Sequence, residues 1–449
     1  MSLTSDPSAG PHDPYAALRV RDFRLFLSGA FLANCGMQMQ TVAVGWEVYR
    51  RTHEALNLGL VGLVQFLPVF LLALPAGHLA DHFERRRIVL MANLVIALSS
   101  LGLAAIVHWH GPTGLIYACL ALTGTARAMA QPARAALVPQ IVPRGAFSNA
   151  ITWGSGGFQL AAVTGPAVGG LLVATFQGTA PVFLLDATAT LTFVVLLAIM
   201  KRRSPRHAFE TPTLRSLLEG LRFVLRTKII LATITLDLFA VLLGGAVMLL
   251  PIYATDLLKV GARGLGYMQA APAAGAIMTS LLLTHLPPMR RAGRTLLLAV
   301  TGFGLATIVF GLSRSLPLSL AMLFLTGAFD MVSVVIRHTL VQTLTPDEMR
   351  GRVSAVNGIF IGASNELGGF ESGLVAHWLG PTASVVLGGI GTLTVVGLVA
   401  LGWPQVRRYG RLGGESRDEG GFLVIPVSQT PDQPPAAGRF PTPEHAPPP

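Results

Sequence analysis

The chain has 449 residues, of which 52% are hydrophobic and 12% charged, with a net charge of +11 at pH 7. Soluble domains carry about 25% charged residues, so this balance excludes an ordinary soluble globular domain and points to lipid. The basic residues sit in loops rather than on a module with interleaved aromatics, which excludes nucleic-acid reading. The only cysteines, Cys35 and Cys119, lie in apolar stretches, which excludes a disulfide framework and a cysteine metal cluster and leaves them as packing residues.

Residues 1–20 include Asp6, Pro7, Pro11, Asp13 and Pro14; they lack the basic and short apolar regions of a cleavable signal and are expected to form a cytoplasmic N-terminal tail. Apolar segments of bilayer-crossing length, about 20 residues, follow at 23–49, 56–79, 87–107, 113–138, 148–176 and 181–200. These are assigned to an N-terminal half over 21–203. Further segments at 229–257, 265–286, 295–312, 316–344, 353–378 and 383–403 make a C-terminal half over 229–404. The linker 204–228 carries Leu214, Leu217, Leu218, Leu221 and Leu225 at helical spacing beside Arg215, Arg222 and Arg226. That pattern predicts an amphipathic helix on the cytoplasmic leaflet. The tail 405–449 is polar and, from Pro431, rich in proline, and is expected to be disordered. The predicted fold is an all-α polytopic membrane protein of twelve transmembrane helices in two pseudo-symmetric six-helix bundles.

An even number of spans puts both termini on one side, and the positive-inside rule selects that side. Arg85, Arg86, Arg87, Arg144, Lys201, Arg202, Arg203, Arg290, Arg291, Arg294, Arg350 and Arg352 fall on one face, against Arg50, Arg51, Lys259, Arg263 and Arg314 on the other. Both termini are therefore expected in the cytoplasm, with the chain a multi-pass protein of the cell membrane.

The chain repeats itself. Leu122-Thr123-Gly124 realigns with Leu325-Thr326-Gly327 at an offset of 203 (325 − 122), and the same offset matches Arg134 with Arg337, Leu137-Val138 with Leu340-Val341, and Pro143 with Pro346. His78-Leu79 matches His285-Leu286 at 207 (285 − 78). Spans four and ten therefore occupy equivalent places, as in parallel repeats related by an axis along the membrane normal, with a substrate route between the halves.

The loop expected after the second span reads Gly77-His78-Leu79-Ala80-Asp81-His82-Phe83-Glu84-Arg85-Arg86-Arg87. It resembles the loop signature of the major facilitator superfamily; Gly77 suits close helix approach, and Asp81 and Arg85 have the spacing of a pair on one helical turn. Gly165-Pro166-Ala167-Val168-Gly169-Gly170 resembles the core of that superfamily's antiporter motif, with Ala161 in place of a glycine four residues earlier. Packing alone would ask for the same residues. Gln131-Pro132-Ala133-Arg134, the run 137–144 and the run 346–353 resemble the branch that holds enterobactin exporters and related secretion and macrolide-efflux proteins. The similarity runs from about Leu18 to Trp403. It implies alternating access driven by protons, which carries small molecules outward.

Ionisable residues inside spans are costly and are functional candidates by default. Arg127 and Asp330 occupy matching positions of the repeat and are expected on facing walls of one cavity. Arg134 and Arg337 lie two turns nearer the cytoplasm, where they gate the inner mouth, bind an anionic cargo, or snorkel as anchors. Asp237, which has no cation nearby in sequence, and Glu371 are the next candidates for coupling; Glu366, five residues before Glu371, lies on a different face of the same helix. Asp186 and Glu47 are expected near wet outer ends of their spans, and His108, His110 and His377 at exposed boundaries. No phosphate-cradling Gly-Lys-Ser loop is present, and no nucleophile, base and orienter set can be assembled. The reading is a secondary transporter without catalytic site, cofactor or metal, moving amphipathic drugs, macrolides or siderophores with protons as the coupling ion, and working as a monomer in the bilayer. An importer or facilitator of the same fold, and a membrane sensor or scaffold, are the alternatives.

Overall fold

The computed structural model describes residues 13–201, 214–287 and 289–410 and the strand pair Ser416–Arg417 and Leu423–Val424; the side chains at 73–74, 77–82, 144, 214–217 and 347 lie outside that description. Of the tail expected to be disordered, 405–410 are described, and Pro404–Arg408 is a short helix with Val406 buried; beyond them only the two-residue strands β1 and β2 are described, which pair antiparallel with Ser416 opposite Val424.

Everything else of regular structure is helical. In chain order the helices are α1 (Arg21–Thr52), α2 (Ala55–His82), α3 (Arg85–His108), α4 (Thr113–Ile141), α5 (Phe147–Phe176), α6 (Ala180–Ala198), α7 (Leu214–Arg226) and α8 (Lys228–Leu243). They continue with α9 (Leu250–Ile252), α10 (Gly261–His285), α11 (Ala292–Leu312), α12 (Leu316–Leu344), α13 (Asp347–Leu379), α14 (Pro381–Gly402) and α15 (Pro404–Arg408). Among the described residues, eight helical stretches are long and apolar enough to cross a membrane by length and composition. Helices α1, α4, α10 and α13 are long enough but more polar. They hold Gln40, Arg127, Gln269 and Glu366 respectively.

One expected segment is not a continuous helix. Between 229 and 257, α8 stops at Leu243, a 3-10 turn spans Ala246–Leu249, and a π turn over Tyr253–Leu257 follows α9. Gly244 and Gly245 weaken the helix there, and Pro251 has no N–H to give. The break brings backbone against backbone: a Cβ on Gly245 would sit 2.7 Å from the Gly368 carbonyl oxygen of α13.

Two groupings follow from the packing. Helix α1 lies against α5 and α6, α4 against α2 and α3, and α3 against α6; in the second group α12 packs on α10 and α11, α14 on α11 and α8, and α13 on α8 and α14. The principal contacts between the groups are α2 with α13 and α5 with α10. Both are glycine crossings. A Cβ on Gly170 of α5 would lie 2.7 Å from the Gly266 Cα of α10, and one on Gly373 of α13 would lie 2.8 Å from the Gly59 Cα of α2. Gly170 and Gly373 stand near the ends of their helices, Gly59 and Gly266 near the starts, so both crossings fall on the side away from α1's first turn. Toward that first turn, Gly154 and Gly156 of α5 and Gly351, Gly358 and Gly362 of α13 have no neighbour within 4 Å of an added Cβ.

Helix α7 docks on protein as well as presenting an apolar edge. Val224 is buried in a cluster with Ile230, Ile234, Val341, Val353 and Val356, and Arg352 of α13 bonds Glu219 at 2.7 Å. Leu218 and Leu225 stay exposed on the free face. Part of the expected N-terminal tail is folded: Ala17 is fully buried, its N–H donates to Asn149 Oδ1 at 3.1 Å, and Trp153 Nε1 donates to the Pro14 carbonyl at 3.1 Å.

Candidate functional site

The two groups enclose a cavity of about 340 Å³. Its walls are mostly apolar, with Val44, Leu58, Val61, Met248, Phe303 and Phe310, and the polar groups are spread over six helices: Gln40 and Thr41 from α1, Gln65 from α2, Gln269 from α10, Thr307 from α11, Thr326 and Asp330 from α12, and Asn365 and Glu366 from α13. Gly244 and Gly245 bring the broken stretch after α8 into the wall. A concave, largely apolar space with a few convergent polar groups is the usual form of a small-molecule site.

Arg127 stands behind this wall. Its Nη1 donates to Gln65 Oε1 at 3.3 Å, and Gln65 is held close because a Cβ on Gly124 of α4 would come within 2.5 Å of the Gln65 carbonyl oxygen. The guanidinium lies within electrostatic reach of Asp186 and Glu366. Asp330 lines the cavity but makes no hydrogen bond or ion pair among the described residues. In this conformation Glu366, rather than Asp330, is the acid of the second group whose charge meets Arg127.

Sequence reasoning placed Asp186 and Glu47 at wet ends, and both are buried, each 1% exposed. Asp186 lies two turns inside α6, which starts at Ala180. It accepts from Ser100 Oγ at 2.6 Å, and Ser100 Oγ accepts from Gln40 Nε2 at 3.1 Å. That chain connects the cavity wall to a buried carboxylate on the far side of α1. Glu47 holds Arg50 at 2.9 Å, Arg51 at 2.6 Å and the Thr179 hydroxyl at 2.9 Å, tying the end of α1 to the start of α6. His108, His110 and His377 are exposed.

The second pair of basic residues separates into two environments. Arg337 of α12 forms a buried ion pair with Asp237 of α8, so Asp237 does have a cation in space, and Arg337 is neither a snorkelling anchor nor open to cargo. The Arg134 guanidinium instead lies over Phe26 and Phe193, 5.7 and 5.9 Å from the ring centroids. Glu371 is half-buried and takes a long contact from Ser372 Oγ at 3.5 Å; it is not part of the cavity wall, whereas Glu366 is.

The loop motif is largely helix. Gly77 and Asp81 belong to the last turns of α2, and only Phe83 and Glu84 separate α2 from α3, so Asp81 and Arg85 do not share a helical turn; the Asp81 side chain lies outside the described residues. Arg85 is buried and reaches the Ala136 carbonyl at 3.5 Å. Arg86 donates to the Leu197 and Ala198 carbonyls at 2.7 and 2.5 Å, capping the end of α6 where free carbonyls and the helix dipole favour a cation. In the Gly-Pro motif, Gly165 and Gly169 face Cys35, Gln38 and Met39 of α1, while the Pro166 carbonyl and Gly170 meet Gly266.

Residues 12–409 match the family described as transmembrane secretion effector. The chain belongs to that family. It is a branch of the major facilitator superfamily, whose members here are transporters rather than enzymes. The enterobactin exporter EntS of Shigella flexneri is 29% identical over 395 residues, covering 86% of this chain and 93% of the relative; the protein of the same name from Escherichia coli O1:K1 / APEC matches with the same identity and coverage. Among solved structures, a bacterial homolog to the human lysosomal transporter Spinster, inward-facing and occupied, aligns with a TM-score of 0.69 at 14% identity, over 88% of this chain and 99% of that one. A POT family transporter in complex with 5-aminolevulinic acid aligns at 0.68 and 12% identity, over 86% and 96%. At such identities these structures bear on the fold alone, and the fold is that of this transporter superfamily.

Proposed function

We propose that this secretion effector is a proton-coupled exporter of small amphipathic molecules, working by alternating access. Twelve transmembrane helices, α8, α9 and the turns between them counting as one, would form two six-helix bundles over 21–203 and 229–404, joined by the linker 204–228. Both termini would lie in the cytoplasm of a cell whose plasma membrane holds the chain as a monomer. The observation that carries the reading is the cavity between the groups, which holds two acids, Asp330 and Glu366, on one side and an arginine-backed glutamine on the other. An acid in such a place can take up a proton as cargo leaves, and this alternation is what antiport requires.

The conformation fits an inward-facing state. The two glycine crossings close the side away from the termini, and α5 and α13 stand apart on the terminal side. Export is supported by the relatives' printed function, enterobactin export, and an organic siderophore, a drug or a macrolide would suit a wall that is mostly apolar. The test is substrate-dependent proton movement in proteoliposomes loaded with a pH dye, with protein inserted in both orientations and each orientation silenced in turn. Proton influx driven by outward cargo flux supports the reading. Cargo flux without proton flux removes the coupling, and cargo flux only toward the terminal side makes the chain an importer.

A further inference from the structure

A second cavity, of about 450 Å³, lies in the cleft between α4 and α5, floored by α1 and distinct from the one that holds Asp330. Phe26, Phe31, Phe147 and Phe158 line it with Arg134, and Asn34, Gln131 and Ser155 are its other polar side chains. Arg134 is seven residues beyond Arg127 on α4, about 10 Å nearer the terminal side at 1.5 Å per residue. Its only contacts beyond packing are the two rings, at 5.7 and 5.9 Å, and it has no hydrogen bond and no acid partner among the described residues.

The repeat identifies what is missing. At the offset of 203, Arg134 corresponds to Arg337 (337 − 134) and Asn34 to Asp237 (237 − 34). In the second group the aspartate neutralises the arginine. In the first group a neutral amide stands in the aspartate's place, makes no hydrogen bond among the described residues, and lines the cavity. A half-buried cation without a counter-ion is costly, and stacking on rings offsets only about 0.5–2 kcal/mol. No described residue supplies the missing charge, and the phenylalanines suit a flat apolar body attached to an anion. The volume lies in the range of ligand pockets, about 300–1,000 Å³.

We propose that this cleft is a binding site for small organic anions bearing an aromatic ring, with the anion on Arg134 and Asn34 and the ring between Phe26, Phe31 and Phe158. Under the export reading above, on which this role rests, it captures cargo on the terminal side before the cargo reaches Asp330. The binding itself needs no gradient and no transport.

The experiment is equilibrium binding of radiolabelled 1-naphthoate to the full chain in phosphatidylcholine nanodiscs, with 1-naphthylmethylammonium as the charge-reversed competitor. Saturable binding that the cation does not displace is expected. Arg134→Gln should weaken it about ten-fold or more, and Asn34→Asp, which supplies the internal counter-ion the second group uses, should do the same while keeping the fold. Arg263→Gln, at an exposed arginine near the start of α10 and away from this cleft, should leave binding unchanged. Absence of binding in the wild type, equal displacement by the cation, or full binding in Asn34→Asp would overturn the proposal. If replacing part of the phosphatidylcholine with phosphatidylglycerol abolishes naphthoate binding, the occupant is a lipid phosphate and the soluble-anion assignment falls. Export activity that fails while naphthoate binding persists would refute the transport reading and leave this site standing.

Discussion

Gly170 of α5 and Gly266 of α10 meet backbone to backbone, and the repeat produces the same meeting a second time. Gly170 maps to Gly373 at 203 (373 − 170) and Gly59 to Gly266 at 207 (266 − 59), so the Gly170–Gly266 crossing and the Gly373–Gly59 crossing are mates. The alanine one turn before the second glycine is repeated as well: Ala55 precedes Gly59, Ala262 precedes Gly266, and their carbonyl oxygens would lie 2.9 and 2.6 Å from a Cβ on Gly373 and Gly170. Small residues let helices approach this closely in a membrane, where van der Waals contact replaces the hydrophobic drive.

Gly266→Val should therefore open the far side without touching the cavity. Overpacking a tight contact costs about 1–3 kcal/mol, and each 1.4 kcal/mol moves a two-state population about ten-fold. Spin labels on the exposed ends of α5 and α10 should report a longer far-side distance, with the mate Gly373→Val shifting α2 and α13 in the same sense. Unchanged distances in both variants would mean the crossings are not the closing surface.

The ion pair between Asp237 and Arg337 makes a stability prediction. Removing one partner of a buried pair strands the other and costs about 3–5 kcal/mol, so Asp237→Ala should lower the thermal midpoint of the purified protein sharply. Asp237→Leu combined with Arg337→Met replaces both charges by apolar groups and should recover most of it. If the single variant is as stable as wild type, the pair contributes nothing to holding α8 against α12.

How much of this was legible in the sequence depends on the distance over which a contact is made. Apolar segments and the repeat are local or periodic signals, so the helices and the equivalence of α4 with α12 were readable, and the offset that matched Arg134 with Arg337 also matches Asn34 with Asp237. Which arginine is neutralised was not readable from Arg337 alone, because its partner is 100 residues away (337 − 237) on another helix. Asp186 was misplaced for the same kind of reason: the start of its span was placed within one residue of Ala180, but what buries it is contact with Ser100 of α3 and Gly36 of α1, made across helices. The break after Leu243 was signalled by Gly244, Gly245 and Pro251, residues that a hydropathy reading passes over.

Asp330 and Glu366 line one cavity but differ in surroundings, since Glu366 lies within reach of the Arg127 charge and Asp330 has no partner among the described residues. Asp330→Asn should abolish substrate-driven proton flux while substrate exchange between equal concentrations continues. Glu366→Gln should release Arg127 and slow both processes, by about ten-fold for each 1.4 kcal/mol lost. Proteoliposome assays of exchange and of proton flux separate the two; proton coupling that survives Asp330→Asn reassigns the carrier to Glu366.

The far side has one further tie between the groups. The Tyr49 hydroxyl at the end of α1 donates to Asp256 in the π turn after α9. Tyr253, in the corresponding stretch of the second group, donates to the Gly311 carbonyl at 3.0 Å, inside its own group. One tyrosine thus bridges the groups and the other packs within its own. A net hydrogen bond contributes about 0.5–1.5 kcal/mol, so Tyr49→Phe should raise the far-side-open population by about two- to ten-fold, while Tyr253→Phe should lower thermal stability and leave that population unchanged. Labelling of a far-side cysteine at Gly45 by a membrane-impermeant maleimide reads the population directly, because Gly45 lines the cavity and packs beside Pro251 just inside the bridge. Faster labelling in Tyr49→Phe than in Tyr253→Phe is the expected result, and equal rates would show that the bridge does not hold the far side shut.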